Sequence, residues 1–237
     1  MYISPRPKIE LQQFLHVRKQ PEQLMERYYK SGRHALRVLS EHLFNPKKKT
    51  ILIPDYICKE AYLPFAERWN IVFYKTTIKL IPLFSDIYQK MDENVGAILF
   101  VHYFGIRQPL YVMKKFLYLK TKYDFALIED CAHCMKDKDS ECDFIIYSFR
   151  KSLPTFEGGL LTMKDAHKIE ILPLISTPQK RVEHFVERLM QLGMNEERTE
   201  TVREKLQQKS SPQKVSVEQY VLPMSKVAYD LLCLSDL

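Results

Sequence analysis

Lys151 stands in the segment Asp143-Phe-Ile-Ile-Tyr-Ser-Phe-Arg-Lys-Ser-Leu-Pro-Thr-Phe-Glu-Gly-Gly159, just past an apolar run that ends at Ser148 and ahead of a Gly158-Gly159 turn. A second apolar run, Phe125-Ala-Leu-Ile-Glu-Asp130, ends in an acid. If the two runs lie side by side as parallel strands, Asp130 and Lys151 reach the same sheet edge. That edge is where open α/β folds bind ligands. An amine able to form a Schiff base, with a carboxylate nearby, is what pyridoxal phosphate requires.

Three short segments carry the chemistry. Ser31-Gly-Arg-His-Ala-Leu36 precedes a helical pattern. The first N–H groups of a helix point outward, and its dipole favours an anion there, so Gly32 would let a phosphate approach the backbone. The plainer reading is an ordinary cap by Ser31. Glu129-Asp-Cys-Ala-His133 follows a strand. Asp130 can hold a pyridine nitrogen protonated and His133 can reach a ring oxygen, or Asp130 can simply cap a helix. Ser148-Phe-Arg-Lys151 puts a hydroxyl and two cations at a strand end. Ser148 can bind phosphate, Lys151 can serve as Schiff-base lysine and proton carrier, and Arg150 can add phosphate charge or stay solvated.

Cys131-Ala-His-Cys134 also fits a metal or redox pattern. Structural zinc needs four ligands, and no second Cys-x-x-Cys exists to supply them. A thioredoxin-like pair is expected after the first strand of a small domain, not late in a long chain. The metal and redox readings are therefore the minor ones.

The elements that must position these residues follow from periodicity. Ala35, Leu36, Leu39 and Leu43 recur at helical spacing over 32–44, and Asn45-Pro46 ends that helix. Short apolar strands are expected at 50–54, 70–74, 95–101, 125–129 and 143–148, with a return strand at 159–163. Helices are expected at 59–69 and 108–122. Short apolar strands alternating with helices predict an α/β fold: a three-layer αβα arrangement with a mostly parallel central sheet. Residues 178–209 are rich in charge and glutamine and helical in pattern, 207–214 read as a polar loop, and an apolar helix spans about 217–234. The expected organisation is a ligand-binding domain over 1–175 and a helical segment over 176–237.

At 237 residues and 46% hydrophobic, the chain can bury a substantial core. No stretch is apolar for the roughly 20 residues a membrane span takes. The amino terminus lacks the apolar run of a secretory signal, so the expected compartment is the cytoplasm, with all five cysteines reduced. The net charge of +7 raises nucleic acid as a partner, but the basic residues are spread along the chain. Lys47-Lys-Lys49 reads as a solvated turn, which leaves attraction for anionic small molecules and no nucleic-acid partner.

Together these segments resemble one family, the DegT/DnrJ/EryC1/StrS sugar aminotransferases of PLP-dependent fold type I. Ser31-Gly-Arg-His-Ala-Leu36 is similar to its phosphate segment, and Ile51-Leu-Ile-Pro-Asp-Tyr56 to its second strand and aromatic turn. Val101-His-Tyr-Phe-Gly105 resembles its Val-His-x-x-Gly signature, Glu129-Asp-Cys-Ala-His133 its Glu-Asp-x-Ala-Gln/His segment, and Ser148 to Gly159 its serine, lysine and Gly-Gly element. Each motif is weak alone; five in register are specific.

The resemblance implies a large domain of the PLP-dependent transferase type, with the small C-terminal domain reduced or missing. It implies that Lys151 carries pyridoxal 5′-phosphate, that Asp130 pairs with the pyridine nitrogen, and that His133 sits near the ring hydroxyl. Ser148 and the backbone of Gly32, Arg33 and His34 would hold the phosphate. Ala132 would pack on one ring face, and Tyr56 or Cys58 would occupy the other. The implied reaction moves an amino group, commonly from glutamate, to a keto sugar nucleotide, in polysaccharide or secondary-metabolite biosynthesis. The active site would lie at a homodimer interface. Family members are longer, so a truncated PLP-binding remnant without catalysis, acting as a regulatory or partner-binding subunit, is the alternative expectation.

Overall fold

The apolar runs become strands of one sheet in the computed structural model, which describes residues 26–136, 140–153, 155, 157–163 and scattered positions from 169 to 229. Those strands are β1 (Glu26–Tyr29), β2 (Thr50–Pro54), β3 (Asn70–Tyr74), β4 (Val95–Val101), β5 (Ala126–Cys131), β6 (Phe144–Ser148) and β7 (Gly159–Met163). Their order is β1-β7-β6-β5-β4-β2-β3. Neighbours from β3 to β6 pair in parallel, whereas β7 runs antiparallel to both β6 and β1. β1 was not expected: Glu-Arg-Tyr-Tyr shows no apolar run, and its partner lies far along the chain.

The helices are α1 (Gly32–Leu43), α2 (Lys59–Tyr62), α3 (Phe84–Lys90), α4 (Leu110–Lys120) and α5 (Phe149–Ser152). The helix expected over 59–69 is instead one turn of α2 followed by a 3₁₀ turn at Leu63–Phe65. Pro64 explains the break, because it lacks the N–H an α-helix would use. α3 and the single turn of α5 were not expected; both are too short to display a helical repeat.

Two apolar cores lie on opposite sides of the sheet, which makes the three layers. Leu36, Leu39, Phe65 and Trp69 pack over Ile51, Ile53, Leu99, Ile128 and Ile146 on one face. Ile87, Val112, Phe116 and Leu119 pack over Leu52, Ile98, Phe100, Leu127 and Tyr147 on the other. Alternate residues of one strand thus enter alternate cores, as a period of two requires. Burying each such side chain contributes roughly 1.5–3 kcal/mol. This double burial makes the central strands read as unbroken apolar runs.

Near the end of the chain, Pro223 bridges Tyr29, and Met224 and Ala228 are buried in the core on the α3–α4 side. In the stretch expected to be a polar loop, Ser210–Ser211 pairs in parallel with Thr177–Pro178. That strand pair carries no apolar signal, so the sequence hides it. Most of the helices expected over 178–209 and 217–234 falls outside the described residues. No described helix is long and apolar enough to cross a membrane.

Candidate active site

Asp130 and Ser148 sit at the carboxyl ends of adjacent parallel strands, and both point to the α1 side. The register pairs Asp130 with Ile146 and Ser148 with Gly159. Since Ile128 and Ile146 belong to the α1-side core, Asp130 and Ser148, each two residues further on, share that face. Glu129 and Cys131 consequently face the other way.

The start of α1 meets this edge. Ser31 precedes the helix with an extended backbone, yet its hydroxyl does not cap it. Ser31 Oγ instead bonds His34 Nδ1 at 2.7 Å. Ser31 thus stands at the N-cap position without a capping side-chain bond. His34 N–H donates to Ser31 O at 3.0 Å, so Gly32 and Arg33 carry the outward N–H groups of the first turn. A Cβ at Gly32 would stand 3.5 Å from Ser148 Cβ, which puts the helix start directly against the Ser148 side chain.

The Gly158-Gly159 turn holds that arrangement. A Cβ at Gly159 would fall 2.1 Å from Ser31 C, so only glycine lets β7 come so close to the helix start. Gly158 adopts φ +135°, a conformation L side chains rarely take, and donates its N–H to Lys30 O at 2.8 Å.

Lys151 lies on the single turn of α5, not on an open loop. Its Nζ is 3.0 Å from His133 Nε2. Burial and then the Lys151 charge hold the His133 imidazole down at about 4. His133 is therefore neutral at pH 7 and accepts from the Lys151 ammonium. Asp130 is 6% exposed. Burial raises its carboxyl, against the pull of the Ala132 N–H on Oδ1 (2.8 Å) and of the Lys151 charge. An acid held up by burial gains most from a cation placed beside it.

Glu129, the next residue along, has the opposite fate beneath the other face. Burial raises its carboxyl, but hydrogen bonds from His102 and Ser140 and the charge of Arg107 bring it down to about 2. His102 Nε2 lies 2.5 Å from Glu129 Oε1, and its Nδ1 accepts the Gln108 N–H at 2.7 Å. That backbone donor leaves Nδ1 as the acceptor, so Nε2 carries the hydrogen that faces Glu129 Oε1. Arg107 Nη1 contacts Glu129 Oε1 at 2.9 Å and Cys131 Sγ at 3.1 Å. The donor atoms of His102, Glu129 and Cys131 lie within 4.8 Å of one another, but the guanidinium takes the place a metal ion would need.

One cleft of about 1100 Å³ collects the sequence candidates: Gly32, Arg33, His34, Tyr56, Cys58, Asp130, Ala132, His133, Ser148 and Lys151 all line it. Tyr56 and Cys58 are both exposed, and neither takes precedence as the stacking residue. Tyr103, Phe104 and Glu157 are among the lining residues that the sequence candidates did not include. Tyr103 donates from its hydroxyl to Tyr56 O at 2.8 Å and sets its ring 5.6 Å from that of Tyr56. Phe104, with a left-handed backbone at φ 57°, places its ring near His133. Buried Glu157 accepts the Ser225 N–H at 2.7 Å, tying the lysine segment to the end of the chain. Tyr103 and Phe104 stood inside the Val-His-x-x-Gly segment and Glu157 beside the Gly-Gly pair, so position in a motif was the available signal.

The donor set suits a phosphorylated pyridine aldehyde: an amine, a buried acid, a neutral imidazole, and a hydroxyl beside outward N–H groups. Among solved structures, the fold matches PseC of Helicobacter pylori, an aminotransferase involved in the biosynthesis of pseudoaminic acid (19% identity, TM-score 0.50, 66% of this chain and 43% of that one). It matches AtS13 of Actinomadura melliaura (15%, 0.58, 90% and 55%) and the aminotransferase TlmJ of Streptoalloteichus hindustanus (15%, 0.56, 90% and 52%). The chain thus spans about half the length of these structures. No curated protein matches it. The profile of the DegT/DnrJ/EryC1/StrS aminotransferase family covers residues 76–209, more than half of the chain, and the chain belongs to that family.

Proposed function

We propose that the chain binds pyridoxal 5′-phosphate at Lys151 and takes part in amino transfer, with glutamate as donor, to a keto sugar carried on a nucleotide. The observation that carries this reading is the convergence of Lys151, Asp130, His133 and Ser148 on one cleft beside the start of α1. The cleft also contains Lys30, Arg33 and Arg150, cations suited to an anionic sugar nucleotide. A homodimer in the cytoplasm is the setting this reading expects.

Asp130 would hold the ring nitrogen, and the cation it gains there would offset the cost of its own burial. Ser148 Oγ and the N–H groups of Gly32 and Arg33 would hold the phosphate, with the dipole of α1 behind them. Ala132 and either Tyr56 or Cys58 would enclose the ring. When bound, the cofactor supplies an electron sink for the carbon that bears the transferred nitrogen. Neutral His133 orients Lys151 Nζ through its own Nε2. Once unprotonated, Lys151 Nζ can take a proton from the donor's α-carbon and return one later. Tyr103 and Phe104 narrow the mouth and limit water.

The test is a spectrum of the purified chain with added pyridoxal phosphate. A visible band that borohydride bleaches, fixing the cofactor on Lys151, is expected. Bleaching by glutamate would mark the first half of amino transfer. No band, or a label on another lysine, overturns the reading.

A further inference from the structure

We infer that Cys131 and Cys134 form a reversible dithiol–disulfide pair whose oxidation draws His133 away from Lys151. The two thiols are hydrogen-bonded to each other, and the turn between them is closed by Cys134 N–H donating to Cys131 O at 2.9 Å. Sulfurs already in contact across such a turn need only small rotations to reach disulfide geometry. Arg107 Nη1 lies 3.1 Å from Cys131 Sγ, but the contact with Cys134, burial and the Glu129 charge still raise the Cys131 thiol. The contact from Cys131 and the Arg107 charge lower the Cys134 thiol against burial, while burial raises the Cys142 thiol. Cys134 is therefore the attacking sulfur of the three.

The motif held only a minor redox reading in the sequence, because it stands late in the chain and not after the first strand of a small domain, and nothing local showed a cation beside it. Arg107 supplies that cation from a loop more than twenty residues upstream. The oxidant is a peroxide. Cys134 thiolate attacks one peroxide oxygen, the O–O bond breaks, and Cys134 becomes a sulfenic acid as hydroxide leaves. Cys131 then attacks the Cys134 sulfur, the S–S bond forms, and the oxygen that Cys134 had taken leaves as water. The two thiol protons leave in water, the peroxide is reduced, and the thiol pair is oxidised.

The residues enclosed by the new ring are Ala132 and His133. Ala132 N–H holds Asp130 Oδ1, and His133 Nε2 holds Lys151 Nζ. Closing the sulfurs also removes the Arg107 contact from Cys131, so the turn shifts with its cation released. The inference extends the Lys151 reading, although the disulfide itself does not depend on that reading.

The experiment treats the full chain with hydrogen peroxide, alkylates free thiols, and maps the tryptic peptide Tyr123–Lys136, which carries both cysteines. Expected is a peptide that has lost both thiol hydrogens and refuses alkylation until dithiothreitol is added. Alkylated Cys131 and Cys134, sulfinic acids in their place, or bonds to Cys58 or Cys142 overturn the pair. Cys131→Ser and Cys134→Ser should each abolish the protection; if either fails to fold, the native peptide map decides alone. The second readout is reductive methylation of Lys151, expected to run about five-fold faster in the oxidised chain, the equivalent of one ordinary hydrogen bond. Equal rates overturn the coupling to Lys151. A reduced chain with no pyridoxal band would sink the cofactor reading and leave both measurements standing.

Discussion

Lys151 Nζ and His133 Nε2 stand 3.0 Å apart, an amine and an imidazole brought together from α5 and from the turn after β5. Two bases this close cannot both carry a proton cheaply, and here the imidazole yields.

The first prediction concerns that pair. In a proton NMR titration His133 should change charge near pH 4, far below an ordinary histidine. Burial is the larger cause and the Lys151 charge the smaller. Lys151→Met should therefore move the midpoint upward, but only part of the way to 6.5. A midpoint in the native chain already near 6.5 would remove the neutral acceptor from the site.

The second concerns Glu129. Its folded carboxyl is lowered from 4.5 to about 2, so the unfolded chain binds the proton first. Stability from this group is fully present above pH 4.5 and is lost as pH falls toward 2. The loss has an upper bound of roughly 3–4 kcal/mol. Urea unfolding of the native chain should steepen in that window. Glu129→Gln should be less stable at pH 7, with buried partners left unpaired, and its acid slope should be shallower. Parallel acid slopes for the two proteins would contradict the cluster's electrostatics.

How far the sequence reaches can be argued from these same residues. β2, β4, β5 and β6 are buried on both faces, so their apolar runs stand out in any reading of the chain. β1 could not be found that way: a short half-polar strand acquires meaning only from β7, far away in sequence. Asp130 and Ser148 end apolar runs and Lys151 follows one, so their arrival at one cleft was legible. Glu129 has no role legible in the motif itself, although a period of two already assigns it and Asp130 to opposite faces. Arg107 gave no local signal. Its function is a tertiary contact with Glu129 and Cys131, which no spacing encodes. The choice between Tyr56 and Cys58 stays open for a physical reason: both are exposed at the mouth, where packing imposes no order.

Gly159→Ala supplies the third prediction. The new Cβ would meet the Ser31 backbone at 2.1 Å, and main chain cannot rotate aside as a side chain can. Overpacking of this kind costs roughly 1–3 kcal/mol. Relief comes by pushing the start of α1 away from Ser148. Thermal unfolding should register the loss, and binding of pyridoxal phosphate should weaken with it, since Gly32 and Arg33 move together. An unchanged affinity would separate the glycine from the anion pocket.

Asp130→Asn is the last. The substitution keeps the shape of the side chain and removes its charge, so the Ala132 N–H retains an acceptor while a ring cation loses its partner. A hydrogen bond to a charged group is worth about 1.5–3 kcal/mol, which is roughly ten- to a hundred-fold in affinity. Because burial raises the Asp130 carboxyl in the free chain, native affinity should also fall on acidification, as a protonated Asp130 must first release its proton. The variant has no such proton to release, so that component of its pH dependence should vanish. Ser148→Ala removes one hydrogen bond to the charged phosphate and should also cost roughly ten- to a hundred-fold, but with no change in the pH profile. Titration of the visible band across pH separates the three proteins. If the Asp130→Asn chain binds as tightly as the native one, with the same pH profile, then Asp130 serves its strand end and not the ring.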